Sequence, residues 1–232
     1  MEGCAMSAHS PLAHLIPRSA HSASARGHTL GAPHVYDAFV SLFFVGRRRP
    51  SFEALIDAAG VKPGQHVLDV GCGTGYFARL LAEAVGNDGL VVGVDASPEM
   101  IRYASDRARR ARNCQFQLGT AESLSFPAEH FDVVVSSLFM HHLPDDLQLA
   151  AVSEMRRVLR PGGTLLIAEA HVPRAFGWRV LARLHGYDRM AQAVPDLERM
   201  IADADFQQAC TGEAPPWLRY VRAVKSLDRT AS

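Results

Sequence analysis

The central part of the chain alternates short apolar runs with segments of helical spacing. Four runs rich in Val, Leu and Ile have the length of buried strands and span 66–70, 89–95, 131–137 and 164–168, and residues 115–118 predict a further short strand. Segments with apolar residues three or four positions apart separate them, over 76–85, 98–112 and 145–159. Strands that alternate with helices predict an α/β, Rossmann-like, doubly wound and mostly parallel sheet.

The last part of the chain departs from this alternation. Two segments, 206–211 and 218–225, are predicted to be strands joined by a turn at Pro215-Pro216. They predict a closing antiparallel strand pair on the otherwise parallel sheet. Helical spacing over 175–184 and 195–203 predicts two helices in front of this pair.

Residues 1–33 are rich in Ser, Ala, His, Pro and Gly and have no apolar periodicity, which predicts a disordered N-terminal extension. The folded domain is expected to comprise residues 34–232. It begins with an apolar lead-in over 34–45, and Ser51 is then the expected N-cap of a helix that ends at Gly60. The intervening Arg47-Arg-Arg49 is expected to be a solvated turn.

Composition narrows the class of protein only a little. Among 232 residues, 24 basic side chains balance 24 acidic ones, so the overall charge gives no indication of nucleic-acid binding. The four cysteines are scattered without a CxxC pair, which favours a reducing, cytoplasmic setting. No apolar stretch is long enough to span a bilayer, and no signal peptide is expected.

The candidate chemistry is concentrated around Val67–Gly75, where a predicted strand, three alternate glycines and a predicted helix follow one another. Glycines let backbone approach a ligand closely, and a helix N-terminus offers unpaired N–H groups. Asp95 lies 20 residues after Gly75, at the end of the second strand, where a carboxylate can accept from ribose hydroxyls. An alternative is that Asp95 only caps the helix that starts at Pro98.

Two ligands fit the glycines. Residues 73–78 read Gly-Thr-Gly-Tyr-Phe-Ala, which matches the GxGxxA pattern of NAD sites. Asp69, however, puts negative charge near the position that a pyrophosphate would occupy, which suits a cationic ligand better.

Val67–Gly75 resembles the first motif of the class I S-adenosylmethionine-dependent methyltransferases. Four further segments resemble family motifs in the same order: Asp95, 120–127, 131–143 and 159–163. The chain is most similar to the small-molecule branch that includes ubiquinone and menaquinone biosynthesis methyltransferases. The resemblance implies S-adenosyl-L-methionine as cofactor and a small, hydrophobic methyl acceptor.

The same resemblance implies a set of cofactor-binding residues. Gly71, Gly73 and Gly75 would contact the methionine and ribose, Asp69 the amino group, and Asp95 the ribose diol. The remaining positions would be Ala96 and Met100 beside the adenine, Ala121 and Glu122 at its edge, Ser137 and Leu138 near the methyl sulfonium, and Tyr36 over the methionine. Thr120 departs from the family, since many members have Asp there.

Methyl transfer would proceed by in-line displacement, with a base only where the acceptor must lose a proton. His142 is the preferred candidate for that base and His141 the second, with His171 a weaker third. Packing roles for the two adjacent histidines are the open alternative. No metal site is predicted, since the metal-dependent catechol-type members have an aspartate where this chain has serines.

Three rival functions stay open: an NAD-dependent oxidoreductase, a non-catalytic cofactor-binding protein and an RNA methyltransferase. A nucleic-acid partner is not expected, because the arginines of 102–112 are more typical of a solvated helix face. Apolar residues in 172–194 are equally compatible with a roof over the acceptor and with core packing. The acceptor, the atom methylated and the oligomeric state are not predicted.

Overall fold

A computed structural model describes residues 33–44, 46–171 and 193–227 of the chain. The predicted N-terminal extension therefore lies outside the described residues, apart from Pro33. The predicted helix 175–184 and most of the 172–194 insertion lie outside them as well.

Seven strands form a single sheet within the described residues. Their bounds are β1 (His66–Val70), β2 (Leu90–Asp95), β3 (Cys114–Leu118), β4 (Phe131–Ser137), β5 (Leu159–Ala170), β6 (Phe206–Ala214) and β7 (Leu218–Lys225). They are arranged in the order β3-β2-β1-β4-β5-β7-β6. Strands β1 to β5 run parallel, whereas β7 pairs antiparallel with both β5 and β6. The predicted fold class, including the closing antiparallel pair, is confirmed.

Helices cover both faces of this sheet. Their bounds are α1 (Pro33–Phe43), α2 (Arg48–Ala59), α3 (Tyr76–Val85), α4 (Pro98–Arg107), α5 (Asp145–Val158) and α6 (Ala193–Asp203). Among these described helices none has the length and apolar character needed to cross a membrane.

Two hydrophobic cores follow from the alternation of side chains along the central strands. Val67 points to one face of the sheet, where it joins Phe52 of α2 and Leu81 of α3. Leu68 points to the other face and joins Met155 of α5. Because both faces are covered, β1 and β4 are buried along almost their whole length, which explains their continuous apolar runs.

The chain reverses direction in the sheet at the neighbouring strands β1 and β4. Strands β2 and β3 extend outward on one side of β1, and β5 follows β4 on the other. The helices that leave these two strands therefore diverge, and a crevice forms at their carboxyl ends. All of the candidate residues discussed below lie at or next to this edge.

Several local predictions were wrong. Helix α4 ends at Arg107 rather than at 112, and β5 begins at Leu159 rather than at 164. Helix α2 begins at Arg48 rather than after Ser51, and the Ser51 hydroxyl lies inside the helix against the carbonyl oxygens of Arg47 and Pro215. The arginine turn is not uniformly solvated either, because Arg48 is only 8% exposed. Its guanidinium stacks on the Tyr76 ring at 3.8 Å and pairs with Asp37, so the first residue of α2 is held by two contacts that are distant in the chain.

Candidate active site

The glycine loop joins β1 to α3, and its three glycines all have positive φ. A Cβ added to Gly71 would lie 2.1 Å from Cγ of Phe139, and one on Gly75 would lie 2.6 Å from Cζ of Phe116. These two positions are therefore glycine because protein side chains occupy the space. A Cβ on Gly73 would meet only Tyr36, at 3.8 Å, so Gly73 is the position where the loop has room beside it.

Asp95, the last residue of β2, is hydrogen-bonded to this loop. Its Oδ2 accepts the Gly73 N–H at 2.9 Å, and its Oδ1 accepts the Ser97 N–H at 2.9 Å. Burial raises the pKa of Asp95, and the two N–H donors oppose that rise. Each oxygen keeps a free lone pair, so the helix-capping role that we considered as an alternative leaves room for a ligand hydroxyl.

Asp69 lies on β1 directly before the loop, and it is the least satisfied acid of the site. Its side chain is 1% exposed, and neither oxygen has a hydrogen-bond partner within the described residues. Burial raises the pKa of Asp69 to about 8; the negative charge of Asp95 adds to this, and the Ala78 N–H opposes it without a full hydrogen bond. A buried carboxylate in this state is strongly stabilised by any cation that reaches it.

Helix α1 covers the open side of the loop. The Tyr36 ring is the nearest side chain to the Cβ position of Gly73. Burial raises the pKa of Tyr36 to about 12; Arg48 opposes the rise, and the carboxylates of Asp95 and Glu169 add to it. Loss of the Tyr36 proton is therefore opposed by burial and by acids on both β2 and β5.

A partly buried ion pair holds α1 in this position. Asp37 accepts from the Arg48 guanidinium at 2.7 Å and from the Thr74 hydroxyl at 3.0 Å. Burial raises the pKa of Asp37, but the bonds from Arg48 and Thr74 outweigh it, so that the pKa lies below its usual value. Because Thr74 belongs to the glycine loop, the network joins α1, α2 and the loop.

The four residues predicted to surround the adenine lie at the carboxyl ends of β2 and β3. Ala96 directly follows Asp95, and Met100 is buried in the first turn of α4. Ala121 is buried and Glu122 partly exposed in the turn after β3. The strands that carry these segments are hydrogen-bonded neighbours, so the four residues share one end of the sheet.

Strand β4 ends in a strained turn. Ser137 is its last residue, and Leu138 has φ of +55°, which is rare for a leucine. The Leu138 N–H donates to the Ala168 carbonyl of β5 at 2.8 Å, which fixes the turn against the neighbouring strand. A short 3-10 turn, Met140–His142, follows and carries both candidate histidines.

One acid of this edge was missed in the sequence. Glu169, near the end of β5, is 0% exposed. Its Oε1 accepts the Met140 N–H at 2.8 Å, and its Oε2 lies 2.7 Å from Nδ1 of His141. The Glu169 carboxylate thus pairs with the second of our two candidate bases. The ring of His142 lies beside that of His141, with centroids 4.0 Å apart.

A signal for Glu169 was present in the sequence. A single charged residue interrupts the apolar run Leu165–Ala170, and a buried charge needs a partner. His171, the weaker candidate, is exposed, and its backbone N–H donates to the Trp217 carbonyl. Within the described residues no group of three or more His, Cys, Asp or Glu side chains is placed to hold a metal ion.

Comparison with known proteins gives a consistent group of relatives. A family model described as "Methyltransferase domain" matches residues 67–163. The chain is 30% identical over 182 residues to 2-phytyl-1,4-naphtoquinone methyltransferase of Synechococcus elongatus, covering 77% of this chain and 72% of that one. It is 31% identical over 198 residues to ubiquinone/menaquinone biosynthesis C-methyltransferase UbiE of Vibrio parahaemolyticus, with coverage of 74% and 76%.

Solved structures share the fold. A SAM-dependent methyltransferase from Aquifex aeolicus superposes with a TM-score of 0.66 at 20% identity, covering 84% of this chain and 99% of that one. The PH0226 protein from Pyrococcus horikoshii gives a TM-score of 0.67 at 21% identity, with coverage of 84% and 100%.

Proposed function

Because the chain belongs to the class I S-adenosylmethionine-dependent methyltransferases, we propose that it methylates a small, largely apolar acceptor of the hydroquinone type. The proposal has two parts, the residues that bind the cofactor and the nature of the acceptor, and each part has separate support.

The buried, unpartnered carboxylate of Asp69 carries the first part. A ligand with a cationic end would satisfy both its oxygens, whereas the pyrophosphate of NAD would add a second negative charge beside it. The donor set therefore fits S-adenosylmethionine, which bears an ammonium and a sulfonium group. This observation favours a methyltransferase over the oxidoreductase that the GxGxxA match allows.

The other cofactor contacts in the proposal follow the edge of the sheet. Asp95, with a lone pair left on each oxygen, would accept from the ribose diol. Ala96, Met100, Ala121 and Glu122 would surround the adenine. The methionine end would lie beside Gly73 under the ring of Tyr36, and Ser137 and Leu138 would line the reacting methyl.

When bound, S-adenosylmethionine supplies an electrophilic methyl group. The protein must then hold an acceptor in line, exclude water and remove a proton where the acceptor has one to lose. The apolar body of Tyr36 would exclude water from the loop. His141, whose Nδ1 is held by Glu169, would accept the acceptor proton at Nε2.

The acceptor class rests on the relatives. One of them is named a 2-phytyl-1,4-naphtoquinone methyltransferase, and another a ubiquinone/menaquinone biosynthesis C-methyltransferase. In the reduced form of such rings, loss of a hydroxyl proton makes the neighbouring ring carbon nucleophilic. Once this carbon carries the methyl group, it loses its own hydrogen as a proton, the hydroxyl is protonated again and the aromatic ring is restored. A single nearby base and an apolar environment would serve that chemistry, and the His141–Glu169 pair meets the first requirement.

Transfer of labelled methyl tests the proposal. The protein is incubated with methyl-labelled S-adenosylmethionine and a prenylated 1,4-naphthohydroquinone, and the organic extract is analysed by mass spectrometry. We expect a product heavier by one methyl, and none from the Asp95→Ala variant. The exposed Glu83→Gln variant on α3 is the matched control and should retain full activity.

Calorimetry with S-adenosylhomocysteine and with NAD separates the two parts. Binding of S-adenosylhomocysteine without turnover of the hydroquinone would refute the acceptor and keep the cofactor. Binding of NAD alone would refute both parts in favour of an oxidoreductase, and label recovered in added RNA would assign a different acceptor. Cofactor binding with no label in any extracted metabolite would leave a binding protein.

A further inference from the structure

Glu169 is the most deeply buried charged group near the proposed acceptor, and neither the family match nor the relatives' names assign it a role. We propose that Glu169 is a positioning residue: it fixes the His141 ring in the tautomer that leaves Nε2 free to accept a proton. The need for a base rests on the proposed function, whereas the tautomer itself does not.

The contacts of Glu169 are made to two consecutive residues. The carboxylate receives the Met140 N–H on one oxygen and faces His141 Nδ1 with the other, at 2.8 and 2.7 Å. An ionised carboxylate can only accept hydrogen bonds, so the proton between Glu169 and His141 belongs to Nδ1. In the neutral ring Nε2 then bears a lone pair, which is what a general base requires.

The rest of the His141 ring is consistent with this role. The side chain is 10% exposed, and its ring makes no other hydrogen bond within the described residues. The ring of His142 packs against it at 4.0 Å and restricts its rotation. Nε2 is therefore unengaged by the described protein, while Nδ1 is held by a short, charge-assisted bond.

A role as a simple turn cap is the competing explanation. The Met140 N–H needs an acceptor, and Glu169 provides one, so the acid would be retained for the 3-10 turn alone. A cap does not need a charge, however, because a neutral amide oxygen accepts an N–H equally well. The ionised group makes a difference only at His141.

Glu169→Gln separates the two explanations. The glutamine oxygen can still accept the Met140 N–H, so the turn keeps its cap. The glutamine NH2 group would donate to His141 Nδ1, which forces the ring proton onto Nε2 and removes the free lone pair. The variant therefore keeps the fold and reverses the tautomer.

The first readout is the tautomer, which needs no acceptor. Nitrogen-15 NMR of selectively labelled histidine should show His141 with the proton on Nδ1 in the wild type and on Nε2 in Glu169→Gln. The His141→Gln spectrum assigns the resonance. A wild-type ring protonated on Nε2 would overturn the inference, whether or not the variants fold.

The second readout is the rate of methyl transfer to the hydroquinone. We expect Glu169→Gln to lower kcat about 100-fold or more at neutral pH, while thermal stability and affinity for S-adenosylhomocysteine stay close to wild type. Glu169→Asp, which keeps the charge, should recover part of the rate. Glu83→Gln should behave as wild type.

An unchanged rate in Glu169→Gln would overturn the inference. The inference would also be overturned if Glu169→Ala and Glu169→Gln lost the same amount of activity and both were less stable than wild type. That result is expected when the acid only caps the turn. A wild-type protein that binds cofactor but does not methylate the hydroquinone refutes the proposed function instead, and the NMR readout then decides the inference alone.

Discussion

Asp69 offers the sharpest quantitative test of the site. The substitution Asp69→Asn removes the charge and keeps the shape of the side chain. In the protein without ligand, the carboxyl is buried, lacks a hydrogen-bond partner in the described structure and has a pKa raised from 3.8 to about 8. In the unfolded chain Asp69 has its ordinary pKa of 3.8. At pH values between the two pKa values, the folded protein therefore keeps a proton on Asp69 that the unfolded chain has lost.

The sign of the effect follows from this difference. Between about pH 4 and pH 8 the folded protein keeps the Asp69 proton and the unfolded chain loses it, so the free energy of unfolding falls as pH rises. A shift of about four pKa units, at about 1.36 kcal/mol per unit, corresponds to a loss on the order of 5 kcal/mol by pH 8. That is comparable with the whole net stability of a small domain.

Urea unfolding of wild type and Asp69→Asn at several pH values measures this slope. The asparagine amide is also buried without a partner, but its penalty does not depend on pH. The difference between the two proteins should therefore change by up to about 1.4 kcal/mol per pH unit from pH 5 to pH 8 and then level off. Titration of Asp95, whose pKa burial also raises, is common to both proteins and largely cancels.

The same linkage predicts proton release when a cationic ligand binds. At pH 7 the free protein holds the Asp69 proton, and an approaching ammonium group displaces it. Affinity for S-adenosylmethionine should rise up to tenfold per pH unit below pH 8 and then level off. Calorimetry in two buffers of different ionisation enthalpy measures the number of protons released on binding. Asp69→Asn is the reference, because the ligand amine titrates in the same pH range and contributes to this number in both proteins. Equal pH slopes and equal proton counts in the two proteins would refute the reasoning.

Three further predictions test the surroundings of Asp69. Gly71→Ala should destabilise the protein by about 3 kcal/mol or more in urea unfolding, because the added methyl would overlap the Phe139 ring at a residue with left-handed backbone. Gly64→Ala is the control: its backbone is also left-handed but the space beside it is open, so it should cost only about 1 kcal/mol. Arg48→Met should cost about 2–3 kcal/mol by leaving Asp37 unpaired, and equal stability to wild type would show that the ion pair contributes nothing. Tyr36→Ala should weaken S-adenosylhomocysteine binding about tenfold while Tyr36→Phe, which keeps the ring, should bind within about twofold of wild type; equal losses would instead assign the effect to the hydroxyl.

Much of the fold was predictable because its signals are local. Each central strand is a continuous apolar run, since both faces of the sheet are covered, and each crossover helix has its own periodicity. Val67–Gly75 could be assigned to a strand, a loop and a helix before any partner was known. The Ser97 hydroxyl, which accepts the Met100 N–H and caps α4, is another local contact, since the two residues are three positions apart.

The unpredicted features depend on pairs that are distant in the chain. Glu169 pairs with His141, which lies 28 residues earlier in the chain. Arg48 pairs with Asp37, which lies 11 residues earlier. The start of α2 coincides with such a pair, because Arg48, its first residue, contacts both Asp37 and the Tyr76 ring. Composition and periodicity show that a charge needs a partner, but not which one the fold supplies.

The structure also distinguishes among three acids at one edge of the sheet by the partners that each of them has. Asp69, Asp95 and Glu169 stand at or near the carboxyl ends of β1, β2 and β5, on the same edge of one sheet. Asp95 receives two backbone N–H groups, and Glu169 receives one N–H and one imidazole.

Asp69 receives no hydrogen bond from the described residues, and the same burial that stabilises the fold makes its charge unfavourable. The three carboxylates are therefore stabilised to different extents along the edge. The carboxylate beside the glycine loop has no partner and would be stabilised by a cationic ligand, whereas the one on β5 already has an imidazole beside it. An electrophilic donor on the first side and a base on the second are what transfer of a methyl group to a protonated acceptor requires.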